Sequence, residues 1–318
     1  TGCGTYLPDK VLTNKDMEQL VDTTDDWINK RSGIRARRMA AEGELTSDLA
    51  IAAGKVALDN AGVDAKDVDA VIVATTTPDR TFPATAVRVQ DKMGIRPGGI
   101  AFDLQAVCTG FVYALAVADN FIRVGQCERV LIIGAETFSR IVDWKDRGTA
   151  VLFGDGAGAL LLEAGEGNGT RHDRGVLSTH LHADGRYRRL LETDGGPSLT
   201  QTAGKARMDG REVFRHAVAR LSDVVTEALA TGGFAPEDVD LLVPHQANIR
   251  IIEGASKKLR IPMDRVVTTI HDHGNTSAAS IPLALGRALS EKRIKKGDLL
   301  LLDAMGAGLT WGAAIIRW

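Results

Sequence analysis

The chain has 318 residues, 44% of them hydrophobic and 25% charged, with a formal net charge of −2. This length allows two ordinary domains or one large one with an ample core, and the near-neutral balance excludes a global pull toward nucleic acid or an anionic membrane. No apolar run approaches the ~20 residues that span a bilayer, no secretory leader is visible, and Cys3, Cys108 and Cys127 are odd in number and lack metal-ligand spacing. The expectation is a cytoplasmic protein without disulfides or zinc.

In chain order, the sequence starts at Thr1 inside what reads as a strand, as expected of a chain missing its first native residues. Apolar β-rich runs then alternate with helical stretches: Ala70-Val-Ile-Val-Ala, Val130-Leu-Ile-Ile-Gly, Leu241-Leu-Val and Leu299-Leu-Leu-Leu. Such continuous runs predict strands covered on both faces in an α/β fold. Gly154-Asp-Gly-Ala-Gly158 departs from the dinucleotide fingerprint and leads into a strand, which argues against a nucleotide loop. The pairs His180/His182 and His271/His273 lack partners at metal spacing and read as structural or surface histidines.

Ala57-Leu58, Gly62 and Asp67-Val-Asp69 recur as Ala228-Leu229, Gly233 and Asp238-Val-Asp240, each shifted by 171 positions. Both copies read as a helix closed by Gly, a turn and a buried strand. The chain therefore reads as a duplicated α/β unit, with halves 1–168 and 169–318 joined in the Gly-rich stretch near 165–175. Aligning the halves places Cys108-Thr109 roughly opposite Asn275-Thr276, each opening an alanine-rich helix.

Cys108 follows the apolar run Phe102-Asp-Leu-Gln-Ala-Val. A thiol at the first turn of a helix faces unpaired N–H groups and the positive dipole end, which favours thiolate. Two other segments are unusually polar for their places: Pro244-His245-Gln-Ala-Asn248, after a strand, and His273-Gly-Asn275-Thr-Ser-Ala-Ala-Ser280, at the start of the second alanine-rich helix. Strand ends in α/β folds gather ligands and catalytic groups, so thiol, imidazole and carboxamide are expected to share one site.

These segments, with Asp22-Thr-Thr-Asp-Asp-Trp27, Asp146-Arg147-Gly-Thr, Phe153-Gly-Asp-Gly-Ala-Gly and the closing Gly306-Ala-Gly-Leu-Thr-Trp-Gly, make the whole chain resemble the thiolase-superfamily condensing enzymes. Within these it is most similar to the β-ketoacyl-acyl-carrier-protein synthase III family. The resemblance implies the five-layered αβαβα thiolase fold and a homodimer. It implies decarboxylative condensation of an acyl-CoA primer, acetyl-CoA foremost, with malonyl-acyl-carrier-protein to initiate fatty acid synthesis. It implies a Cys108, His245, Asn275 triad, an oxyanion site at the backbone N–H groups of Cys108 and Ala307, and no tightly bound cofactor, CoA entering as the thioester substrate.

By the same resemblance Thr23, Trp27, Arg31, Arg147, Phe214 and Asn248 would contact CoA, and Phe82 would shape the acyl pocket, in some relatives across a dimer interface. Arg207, Arg211, Arg215, Arg250, Lys257 and Lys258 form a basic group expected to dock the acidic carrier protein. The thiolases that remove an α-proton carry a second cysteine in the C-terminal glycine turn; this chain has Gly306-Ala307-Gly308 there, which favours decarboxylation. The runner-up is a related condensing enzyme making a polyketide starter or quinolone-type product. A papain-like protease is disfavoured by the missing cysteine signature, and a silent partner subunit by retention of all three triad residues. Val107, Thr109, Ala307 and Asp303 depart from the common family pattern.

Overall fold

A computed structural model describes all 318 residues. Nine strands form its two large sheets. They are β1 (Gly2–Tyr6), β2 (Ala70–Ala74), β3 (Ile100–Leu104), β4 (Arg129–Glu136) and β5 (Gly156–Glu163) in the first, and β6 (Gly175–Ala183), β7 (Leu241–Pro244), β8 (Leu299–Gly306) and β9 (Thr310–Arg317) in the second. The seven longer helices are α1 (Asp25–Ser32), α2 (Thr46–Ala61), α3 (Thr85–Met93), α4 (Gly110–Arg123), α5 (Gly210–Gly232), α6 (Ile249–Leu259) and α7 (Ser280–Ser290).

The strand orders are β1-β5-β4-β2-β3 and β6-β9-β8-β7. Each sheet joins parallel neighbours (β2 with β4, β7 with β8) to an antiparallel run. The first four strands of one order match the other one for one. Where β3 lies in the first sheet, the second has only a parallel bridge between Leu242 and Val266.

Alternating side chains divide the core into layers. One face of both sheets, through residues such as Ile72, Ile132, Val243 and Leu302, packs on α4 and α7, which form a buried middle layer. The opposite face of the first sheet packs on α2 and α3, and that of the second on α5 and α6. The result is five layers, αβαβα. α4 can be covered on both sides because Gly110, Ala114, Ala116 and Ala118 keep it thin. The predicted repeat is present in the backbone: α2 closes on Gly62 and α5 on Gly233, both with φ 68°, and each cap is followed by a short 3-10 turn.

The register between the two central helices differs from the expected one. Each is preceded by a 3-10 turn, Val107–Thr109 before α4 and Ser277–Ala279 before α7. Each turn opens with a non-glycine residue at positive φ, Val107 at 47° and Ser277 at 48°. Cys108 therefore corresponds to Ala278, and Asn275 stands three residues earlier. Asn275 is fixed separately: its N–H donates to the Leu152 carbonyl at 2.8 Å, and its own carbonyl accepts from Gly154 N–H at 3.0 Å.

Candidate active site

Cys108, His245 and Asn275 line one cavity of about 90 Å3, together with Phe153, Phe214 and Gly306. Each side chain is brought there by a different element: the 3-10 turn before α4, the end of β7, and the loop before α7. All three residues are buried. A methyl group on Gly306 would stand 2.9 Å from Cys108 N and 3.0 Å from Ala106 O, so only glycine lets β8 approach the cysteine turn this closely.

His245 is held from behind. Its Nδ1 lies 2.7 Å from Ser280 Oγ, and its backbone N–H donates to Asp303 O at 2.7 Å. Nε2 has no protein partner. The next residue, Gln246, donates from Nε2 to Pro244 O and Val267 O and accepts at Oε1 from the N–H groups of Thr269 and Ile270. Burial pushes the imidazole down to about 3, which keeps it neutral. Asn275 Oδ1 accepts from Ser277 N–H at 2.9 Å, so its Nδ2 hydrogens remain unspent.

The thiol departs from the expected thiolate. Burial pushes Cys108 up to about 12, and Ser277 offsets this only partly. Desolvation of a fully enclosed sulfur outweighs the helix end, whose first turn is 3-10. Ser277 favours the charged form of both Cys108 and Glu136, yet its buried Oγ completes no hydrogen bond. Glu136 is itself enclosed, bonded by Thr77 Oγ1 at 2.7 Å and Thr76 N–H, and burial raises it to about 7.

Two family models match the chain: 3-oxoacyl-[acyl-carrier-protein] synthase III over residues 102–185 and its C-terminal region over 229–318. The β-ketoacyl-[acyl-carrier-protein] synthase III of Rhodospirillum centenum is 62% identical over 317 residues, covering 100% of this chain and 98% of the relative. The chain belongs to the β-ketoacyl-acyl-carrier-protein synthase III family. Solved synthases III from Aquifex aeolicus and Pseudomonas aeruginosa superpose with TM-scores of 0.93 at 47% and 44% identity. They cover 100% of this chain and 98% and 96% of their own. The five layers are thus the thiolase fold, and the protein is an acyl-transferring condensing enzyme that initiates fatty acid synthesis. The priming β-ketosynthase of the R1128 polyketide pathway is more distant, at 34% identity and TM-score 0.91 over 99% of this chain and 95% of its own, which leaves the starter-unit alternative with less support.

The residues expected at the CoA end of a synthase III fall into three groups. Trp27 has the guanidinium carbons of Arg31 and Arg147 each 4.7 Å from its ring centroid. Phe214 and Asn248 line the cavity, and Asn248 also caps α6 and donates from Nδ2 to Arg31 O at 2.9 Å, tying tunnel to rim. Thr23 is not among the cavity residues, although its Oγ1 is buried without a partner.

Ala307 follows Gly306 in the turn and does not adopt positive φ, so the lost glycine costs no strain there. Phe82 stands apart from the cavity: its side chain is 83% exposed. Of the basic group, Arg211, Arg215, Arg250, Lys257 and Lys258 are exposed. Arg250 lies over Phe214 at the cavity, 5.5 Å from the ring centroid. Arg207 is committed to Asp143 and Asp194. Sequence reasoning assigned no role to Ser277, Ser280 or Glu136. The two serines were inside a motif already singled out, and Glu136 ends an otherwise apolar strand, a signal that was there to use.

Proposed function

We propose that Cys108 is the nucleophile and that His245 and Asn275 are the donors for the second half-reaction. The carrying observation is one cavity lined by a thiol, by an imidazole Nε2 and by a carboxamide Nδ2, the two nitrogens having no protein partner. The Cys108 sulfur attacks the acyl-CoA carbonyl carbon, and its proton passes to the departing CoA sulfur. The backbone N–H groups of Cys108 and Ala307 hold the oxyanion, the carbon–sulfur bond to CoA breaks, and CoA leaves with a proton. Malonyl-acyl-carrier-protein then enters. Its carboxylate leaves as CO2, and the electron pair passes to the thioester oxygen facing His245 and Asn275; the carbanion then bonds to the acyl carbonyl carbon, the thioester bond to Cys108 breaks, the β-ketoacyl-carrier protein leaves and the sulfur takes up a proton. Decarboxylation supplies the carbanion, so no resident cofactor takes part. Acetyl-CoA is the proposed primer.

Trp27, Arg31 and Arg147 would bind the adenine and phosphates, with Thr23 beside them, and Phe214 and Asn248 the pantetheine. Arg211, Arg215, Arg250, Lys257 and Lys258 would receive the carrier protein. The two halves, 1–168 and 169–318, supply the nucleophile and the donors respectively. The enzyme would work in the cytoplasm as a homodimer, with Phe82 reaching the partner's acyl pocket; the exposed Phe82 loop and the half-open edge strand β3 support that reading.

The test separates the half-reactions. Cys108→Ser should show no acyl adduct by intact mass, and a retained adduct there would remove the cysteine from its role. His245→Ala and Asn275→Ala should retain the adduct while losing CO2 release from malonyl-acyl-carrier-protein by about 100-fold or more. Equal loss of both steps would contradict the division of labour.

A further inference from the structure

Enclosed and neutral, His245 carries a single ring proton, and which nitrogen holds it decides whether the cavity meets a donor or an acceptor. Ser280 Oγ has two partners, His245 Nδ1 at 2.7 Å and the Gln246 N–H at 3.3 Å. The amide can only donate, so it occupies a lone pair on Oγ and leaves the hydroxyl proton to be placed. A serine in the first turn of a helix often returns its proton to the carbonyl four residues back. Here that carbonyl, Thr276 O, accepts the Ala279 N–H at 3.0 Å and Ser280 does not reach it. The only acceptor left to the hydroxyl is His245 Nδ1.

The reverse arrangement, Nδ1–H donating to Oγ, would leave a buried hydroxyl proton unpaired, since Ser280 is buried and is not among the residues that line the cavity. An unmade hydrogen bond of that kind is disfavoured strongly enough to select one tautomer. The geometry points to Ser280 as the positioning residue that fixes His245 in its Nε2–H form, so that the cavity always meets a hydrogen-bond donor. This deepens the reading of His245 given above and rests on it. It has a consequence for the first half-reaction as well: an Nε2 that already holds its proton does not collect one from Cys108.

The site is built from the backbone outward. Ser280 is the first residue of α7 and Gln246 directly follows His245, so the end of β7 and the start of α7 are locked together by the same hydroxyl. Gln246, with four hydrogen bonds of its own, keeps the donating amide in place.

The direct measurement is 15N NMR of the full-length protein labelled at histidine, with His245→Ala used to assign the signal. The expected spectrum has a protonated Nε2 and an unprotonated Nδ1 for His245; a protonated Nδ1 overturns the inference. Ser280→Ala should mix the two tautomers and slow CO2 release from malonyl-acyl-carrier-protein about tenfold, while acylation of Cys108 by acetyl-CoA changes less than about threefold. Ser280→Thr, which keeps the hydroxyl, should restore both the spectrum and the rate. Equal loss of both half-reactions in Ser280→Ala would make Ser280 merely structural and also overturn it. If His245→Ala keeps full CO2 release, the reading of His245 fails, whatever tautomer the spectrum shows.

Discussion

Asp303 sits on β8 with its carboxyl fully enclosed and neither oxygen hydrogen-bonded. Its strand neighbours on the same face, Leu301 and Met305, belong to the apolar layer under α5 and α6. Burial alone raises the group from 3.8 to about 7, so the folded protein holds it as a neutral acid. The unfolded chain releases that proton near pH 4. Between pH 4 and 7 the native state therefore binds more protons than the unfolded one, and stability falls as pH rises. Asp303→Asn imitates the neutral acid and does not titrate. It should match the wild type in urea denaturation at pH 4 and exceed it by a few kcal/mol, in order of magnitude, at pH 8. A stability difference that does not change with pH would show that Asp303 is not protonated by folding. The triad was legible at this scale because Cys108, His245 and Asn275 are polar residues breaking apolar runs. The elevation of the thiol was not, since it depends on how completely three segments close over the sulfur. Nor was the work of Ser280, because a serine in a helix start has several common uses and only the fold chooses among them.

At the scale of elements, the site depends on two 3-10 turns meeting beneath the ends of the strands. β4 passes so near the second turn that a methyl group on Gly134 would lie 2.3 Å from Ala278 O. That obstacle is backbone inside the middle layer, so it cannot rotate away. Gly134→Ala should cost about 1–3 kcal/mol of stability, as overpacking of a close-packed core does. It should also slow acylation of Cys108, because Ser277 in the displaced turn lies beside the sulfur. Denaturant unfolding and the rate of adduct formation by intact mass check the two effects; an unchanged stability would mean that the strand and turn can separate freely. The apolar runs and the 171-residue repeat revealed the strands, the paired glycine caps and the alternation of layers. They did not reveal the register of the two turns. That register is set by the positive φ of Val107 and Ser277, a conformation neither residue type advertises.

For the whole molecule, the two halves differ most at one edge. In the second sheet the place next to β7 is closed by a single bridge at Val266, whereas the first sheet continues into β3, and all five residues of β3 are half-buried. The loop carrying Phe82 is anchored to the same edge, since the N–H groups of Thr85 and Ala86 donate to the Asp103 carboxylate at 2.7 and 2.8 Å. An edge strand with free polar groups beside an exposed aromatic is a surface that natural proteins cover, and a second copy would cover both at once. Ile100 N–H donates to Asp69 O, and Leu104 O accepts from Thr75 N–H, so the backbone groups of residues 100, 102 and 104 face β2. Those of Ala101 and Asp103 face outward. Ala101→Pro therefore removes a donor from the open edge without breaking a bond to β2. Sedimentation at micromolar concentration should give the mass of two chains for the wild type. For Ala101→Pro it should give one, with an unchanged far-ultraviolet dichroism spectrum. A wild type that sediments as one chain would remove the dimer, and with it the route by which Phe82 could reach an acyl pocket.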